Sequence, residues 1–107
     1  MWLTIVEFEL PWTASQLARV FGPRPGALED YELVSESTIR VDGRTAVRIE
    51  YTWTAVDQRL RDVPVTAIQV YTMIDDKAVF FVSTMRSEGA DKFVPVVDDI
   101  VASFDFQ

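Results

Sequence analysis

Val41-Asp42-Gly43-Arg44-Thr45-Ala46-Val47-Arg48-Ile49-Glu50-Tyr51-Thr52-Trp53 is the stretch whose reading decides the fold. Asp-Gly between two runs of alternating polarity marks a hairpin, because both residues tolerate the left-handed backbone that a tight turn demands. Beyond the turn, Thr45, Val47, Ile49, Tyr51 and Trp53 fall on one face of a strand. Arg44, Ala46, Arg48, Glu50, Thr52 and Thr54 fall on the other. A period of two in β-branched and aromatic residues predicts one buried face, and the length of the run predicts a central strand.

Leu33 to Val41 is the partner strand of this hairpin. A two-residue turn would set Glu36 opposite Ile49 and Glu32 opposite Trp53. A three-residue loop with Gly43 left-handed would set Leu33 opposite Tyr51 and Glu36 opposite Arg48. The second arrangement keeps apolar residues together and opposes unlike charges, so it is the predicted register.

Outward from the hairpin, Trp2 to Leu10 alternates as a strand and stops at Pro11, which has no N–H to donate. Thr13-Ala14-Ser15-Gln16 is a capping box, and Trp12 and Leu17 are spaced as a hydrophobic staple. The short helix so opened carries Leu17, Val20 and Phe21 and ends at Gly22-Pro23. Residues 55–62 are polar and charged and predict a loop. Val63 to Ile74 and Lys77 to Met85 predict two strands joined at Asp75-Asp76. Ile68, Val70, Ile74, Val79, Phe81 and Met85 occupy one set of faces, and Val65, Ala67, Tyr71, Met73, Ala78, Phe80 and Val82 the other. Strands apolar on both faces need cover on both sides. Phe93, Val97, Ile100, Val101 and Phe104 repeat at helical spacing within 89–104, and Pro95 places the helix start near Asp91 or Lys92. The predicted order is β-α-β-β-β-β-α: an α+β domain with an antiparallel sheet of about five strands flanked by two helices.

Composition narrows the chemistry. The chain has 107 residues, 49% of them apolar, which predicts one domain with its own core. It contains neither Cys nor His, so disulfides, thiolate nucleophiles and the commonest general base and metal ligand are all missing. No catalytic residue, metal or cofactor is therefore predicted. A net charge of −7 argues against nucleic acid and anionic membrane surfaces as partners. No apolar run has the length of a membrane span, and Met1-Trp2-Leu3-Thr4-Ile5-Val6 is not preceded by a basic region, so no signal peptide is read and a cytoplasmic location is expected. A chain that opens directly on a strand suggests a trimmed N-terminus.

The acids of Asp75-Asp76, Asp91 and Asp98-Asp99 read as a turn and a solvated helix face, and Asp57, Asp62 and Glu88 as scattered loop acids. Arg40, Arg44 and Arg48 alternate with acids on the polar side of the hairpin and predict cross-strand ion pairs of small worth. The aromatics are more telling. One short helix, at 1.5 Å per residue, cannot cover a sheet face whose strands rise about 3.3 Å per residue. Ile68, Val70, Phe81 and Trp53 are accordingly the candidate partner-binding residues, facing a hydrophobic protein segment or a second copy.

Val41-Asp42-Gly43-Arg44-Thr45-Ala46, Glu50-Tyr51-Thr52-Trp53, Gln69-Val70-Tyr71-Thr72 and Ile100-Val101-Ala102-Ser103-Phe104 together resemble the PsbP-like superfamily, and within it the DcrB-like proteins and the Eag chaperones of type VI secretion. The resemblance covers residues 30 to 107 and rests on core and turn positions, which speak for fold more than function. Family members usually carry a further segment before the first strand. The resemblance implies a non-enzymatic protein, an antiparallel sheet flanked by helices, and, for Eag-type relatives, a dimer sheltering hydrophobic segments of secreted effectors. Three functions stay open: a binding or adaptor domain such as a secretion-effector chaperone, a small-ligand carrier or enzyme with a pocket between sheet and helix, and a structural subunit of a larger assembly.

Overall fold

A computed structural model describes Trp2–Glu9, residues 28–74 and residues 77–103. Its strands are β1 (Trp2–Glu9), β2 (Glu32–Val41), β3 (Arg44–Val56), β4 (Asp62–Ile74) and β5 (Lys77–Arg86), followed by the helix α1 (Ala90–Ala102). All pairings are antiparallel, in the order β1-β5-β4-β3-β2, so β3, β4 and β5 are interior and β1 and β2 are edges. The fold is α+β. The helix predicted after Pro11, the Asp75-Asp76 turn and Phe104 lie outside the described residues.

The hairpin corrects the predicted register. Val41 pairs with Arg44 and Glu36 with Ile49, so the connection is a two-residue turn. Asp42 (φ 50°) and Gly43 (φ 75°) are both left-handed, the backbone of a type I′ turn whose twist matches that of its strands. Arg48 faces Ser37 rather than Glu36. Between Leu33 and Ser35 the register then slips by one, which leaves Val34 as the extra residue and brings Leu33 opposite Tyr51 after all. Each of the two alternatives read from sequence therefore holds for one part of β2.

β3 runs on to Val56 and β4 begins at Asp62, so the connection predicted over 55–62 shortens to residues 57–61. Both faces of the sheet are covered. On one, α1 lays Ala90, Val94, Val97 and Val101 against Val41, Ala46, Ile68, Val70, Val79, Phe81 and Met85. On the other, Val47, Ile49, Tyr51, Ala67, Tyr71, Ala78 and Phe80 form a second cluster with Leu28, Tyr31, Trp53, Met73 and Val82. Of the predicted stripe Val97 and Val101 are buried but Phe93 is exposed, so the buried face of the helix is turned toward Ala90 and Val94. It starts at Ala90, one residue earlier than expected, behind a left-handed Gly89.

α1 crosses the side of β3 that carries Arg44, Ala46 and Arg48. The small Ala46 admits the helix, and Arg48 fastens it: Nε donates to Asp98 Oδ1 at 2.9 Å and Nη2 to Glu50 Oε1 at 2.9 Å, while Nη1 reaches Ser35 Oγ at 3.3 Å. Burial depresses the guanidinium pKa, but the hydrogen bonds to Asp98 and Glu50 outweigh it and leave it above its ordinary value. Asp98 is thus a clamp between helix and sheet rather than part of a solvated face, and the pairing of Arg48 is not the cross-strand one predicted.

Candidate functional site

The candidate partner residues do not share a surface. Ile68, Val70 and Phe81 are each 1% exposed and lie under α1. Trp53 is half-buried on the opposite face of the sheet. The apolar two-sidedness of β4 and β5 is answered within the chain, and no accessible surface contains these four residues together. Among the described residues, the large apolar side chains that stand exposed are Leu33, Val34, Val56, Leu60, Phe93 and Val96.

The opposite face holds a polar centre inside an aromatic cluster. Gln69 lies between two phenols: its Nε2 donates to Tyr51 Oη at 2.9 Å, and Tyr71 Oη donates to its Oε1. Tyr31 tilts against Tyr51 with ring centroids 5.5 Å apart, and Tyr71 meets Phe80 edge to face at 4.9 Å. Burial is the leading cause that raises the pKa of all three phenols, reinforced by Glu36 at Tyr31, by Tyr31 at Tyr51 and by Tyr51 at Tyr71. These groups stay neutral and serve as packed hydrogen-bonding rings.

A concave feature of the described residues lies at one end of the sheet, where the β3–β4 connection meets the β5–α1 connection. Asp57 builds the first of these. Its Oδ1 accepts from the amides of Arg59 (2.8 Å) and Arg61 (2.9 Å), and its Oδ2 accepts from Arg61 Nε at 2.9 Å. The Asp57 amide bonds to Arg61 O and the Leu60 amide to Asp57 O, which closes a tight turn. The Arg61 backbone hydrogen bond is the main cause that holds the Asp57 carboxyl below its ordinary range; desolvation opposes it, and the Arg61 side chain, the Arg59 amide and the charge of Arg86 lower it further. Leu60 completes the turn with φ 59°, a left-handed conformation that a branched side chain enters at a cost, and it stands 85% exposed.

The second connection is pinned to the start of β4. The Ser87 amide donates to Pro64 O at 3.0 Å, Ser87 Oγ lies 2.9 Å from Thr66 Oγ1, and the Ala90 amide closes on Ser87 O at 3.1 Å. Between the two connections lie adjoining hollows. One, of about 350 Å³, is lined by Asp57, Arg61, Asp62, Val63, Pro64, Arg86, Ser87 and Glu88. The other, of about 360 Å³, is lined by Asp57, Gln58, Arg59, Arg61 and Arg86. Among the described residues, no ion pair or side-chain hydrogen bond engages the guanidinium of Arg59 or of Arg86.

Sequence reasoning missed this site because residues 55–62 present no motif. The available signal was local: Asp57 followed by Arg59 and Arg61, an acid placed to cap a turn that projects two cations. Arg86, remote in sequence, joins them only through the sheet register that sets it opposite Val65. No group of acids among the described residues is arranged to hold a metal ion, and none of their helices is long and apolar enough to cross a membrane.

No protein-family model matches the chain, and no curated protein does. Solved structures do. The protein of unknown function PA94 from Pseudomonas aeruginosa superposes with a TM-score of 0.69 at 16% identity, over 100% of this chain and 85% of that one. The cyanobacterial PsbP protein CyanoP from Synechocystis sp. PCC 6803 superposes with a TM-score of 0.66 at 18% identity, over 98% of this chain and 66% of that one. At these identities the likeness concerns the backbone: the chain has a PsbP-like α+β fold.

Proposed function

We propose that the chain is a non-enzymatic binding or adaptor domain that engages its partner through the cleft at the end of the sheet. The observation that carries this reading is the convergence of Arg59, Arg61 and Arg86 on one concave surface of a chain with 17 acids and 10 bases. Arg61 is paired with Asp57, and the guanidiniums of Arg59 and Arg86, which no side chain of the described residues engages, are the groups suited to recognition of an anion. Asp57 is saturated with hydrogen bonds and held ionised, so it is a scaffold for the loop and has no proton to trade. A secretion-chaperone role, sheltering a hydrophobic segment or pairing with a second copy, falls to the exposed apolar side chains at this end of the sheet, Val56 and Leu60, because the sheet faces are already covered.

Affinity capture from a cell extract, with partners identified by mass spectrometry, tests the reading. The wild-type chain should retain one or more partners that Arg59→Glu/Arg86→Glu loses while its circular dichroism is unchanged. Identical partner sets for the two proteins would refute it.

A further inference from the structure

The geometry points to an acidic protein segment, a carboxylate side chain next to an apolar one, as the occupant of the sheet-end cleft. This rests on the partner-binding reading above and adds the chemistry of what is bound. The two hollows differ in character and share Asp57, Arg61 and Arg86. The one on the loop side carries Arg59, Arg61 and Arg86 with Asp57; Asp57 and Arg61 pair with each other, which leaves the charges of Arg59 and Arg86 to the hollow. It fits a carboxylate. The neighbouring hollow has Val63 and Pro64 in its wall and Asp62 and Glu88 at its margin. Those two acids repel a second anion and favour an apolar or basic residue next in the bound segment. Leu60, exposed between Arg59 and Arg61 in the same connection, is free to add apolar contact to a segment bound there.

Charge and shape separate a protein segment from the other anions. A polyanion long enough to run from the loop-side hollow into its neighbour would meet Asp62 and Glu88 there. An anionic bilayer would meet a chain of net charge −7 and would need a protruding cationic face, whereas these arginines line a concavity. Hollows of about 350 and 360 Å³ sit at the lower end of ligand-cleft sizes and suit two adjoining side chains.

Fluorescence anisotropy on the full chain provides the test. The probe is a labelled peptide of alternating Glu and Leu, with Gln/Leu and Lys/Leu peptides of equal length as controls. Binding of the Glu/Leu peptide is expected to weaken at least tenfold in Arg59→Gln/Arg86→Gln and to persist in the charge-matched Arg44→Gln/Lys92→Gln. The Gln/Leu peptide should bind at least tenfold more weakly, and Leu60→Ser should cost the Glu/Leu peptide a few-fold. Equal binding of the Gln/Leu peptide, indifference to Arg59→Gln/Arg86→Gln, displacement by inorganic phosphate at the concentration of chloride controls, or preference for phosphatidylglycerol vesicles would each overturn the assignment. If extract partners vanish on charge reversal yet the Glu/Leu peptide does not bind, the partner-binding cleft stands and the acidic occupant falls.

Discussion

Ser83→Ala should make the protein more stable. Ser83 is completely buried in β5, on the face that α1 covers, and its Oγ has no hydrogen-bond partner. Its cross-strand neighbour is Ile68, 1% exposed. A buried hydroxyl without a partner forgoes its hydrogen bonds to water, at a cost of about 1–3 kcal/mol. Removing the oxygen leaves a void on the order of 10 Å³, which at about 24 cal/mol per Å³ costs about 0.3 kcal/mol. Alanine's weaker strand propensity subtracts a few tenths more, on the order of 0.5 kcal/mol. The net gain is about 1 kcal/mol, which raises Tm by roughly 4 °C in a domain of this size. In urea the midpoint should rise by about 0.5 M with the slope m unchanged, for an m of about 2 kcal/mol/M. Thr72→Val is the matched control. Thr72 is equally buried, but its Oγ1 donates to Thr45 O at 2.9 Å, so removing that hydroxyl should cost about 1 kcal/mol. A fall in stability for Ser83→Ala, or the same sign for both variants, would refute the reasoning.

Gly43→Val meets no atom within 4 Å at its new Cβ, so the penalty is purely that of a β-branched residue at φ 75°: about 1–2 kcal/mol, read as a lower urea midpoint. Leu60→Gly should have the opposite sign, because it relieves a left-handed leucine at φ 59° that packs on little; a gain of about 0.5–1 kcal/mol is expected by thermal melting, and no gain would mean that Leu60 has contacts worth its strain. For the three tyrosines, folded pKa values above the ordinary 10.0 mean that their contribution is present in full below pH 10 and is lost as pH rises through the folded values. Tyrosinate absorbance at 295 nm should therefore lag that of the urea-unfolded chain, with stability falling above pH 10, whereas titration of all three near pH 10 in the folded protein would disprove their burial.

How much of this was legible beforehand depends on what local pattern encodes. Alternation at Thr45–Trp53, a period of two imposed by the pleat itself, and the run Val63–Ile74, apolar on both faces, announced interior strands. Register was harder. The argument from charge and apolar matching was sound for Leu33 and Tyr51 but failed at Glu36, because Val34 absorbs a residue without the Gly or Pro that would flag a bulge. Helix rotation was misjudged for a related reason: Phe93, Val97 and Ile100 do form a stripe, yet Ala90, Val94 and Val97 form a neighbouring one, and the Arg48–Asp98 clamp holds α1 on the second. Ile68, Val70 and Phe81 drew attention as surplus apolar surface because composition cannot tell which strand face a distant helix will take. The sheet-end cleft was invisible for the same cause: Arg86 and Arg59 are brought together by strand pairing and by nothing in their own surroundings.

The strand order has a consequence for how the chain is made. Among the described strands β1 hydrogen-bonds to β5 alone, and its last pair, Glu9 with Lys77, joins residues separated by 68 positions. On a ribosome adding roughly 5–20 residues per second, β1 waits roughly 3–14 s between its own synthesis and that of its partner. Each hairpin from β2 to β5 closes on the strand just made, so the meander zips in order of emergence while the first strand remains without a template. Until β1 docks, the outer edge of β5 is an open row of amides and carbonyls, the feature that invites pairing with a neighbouring nascent copy. Slowing translation between β1 and β5 should therefore increase aggregation, while a circular permutant that carries the β1 segment after α1 should shorten the wait and lessen it.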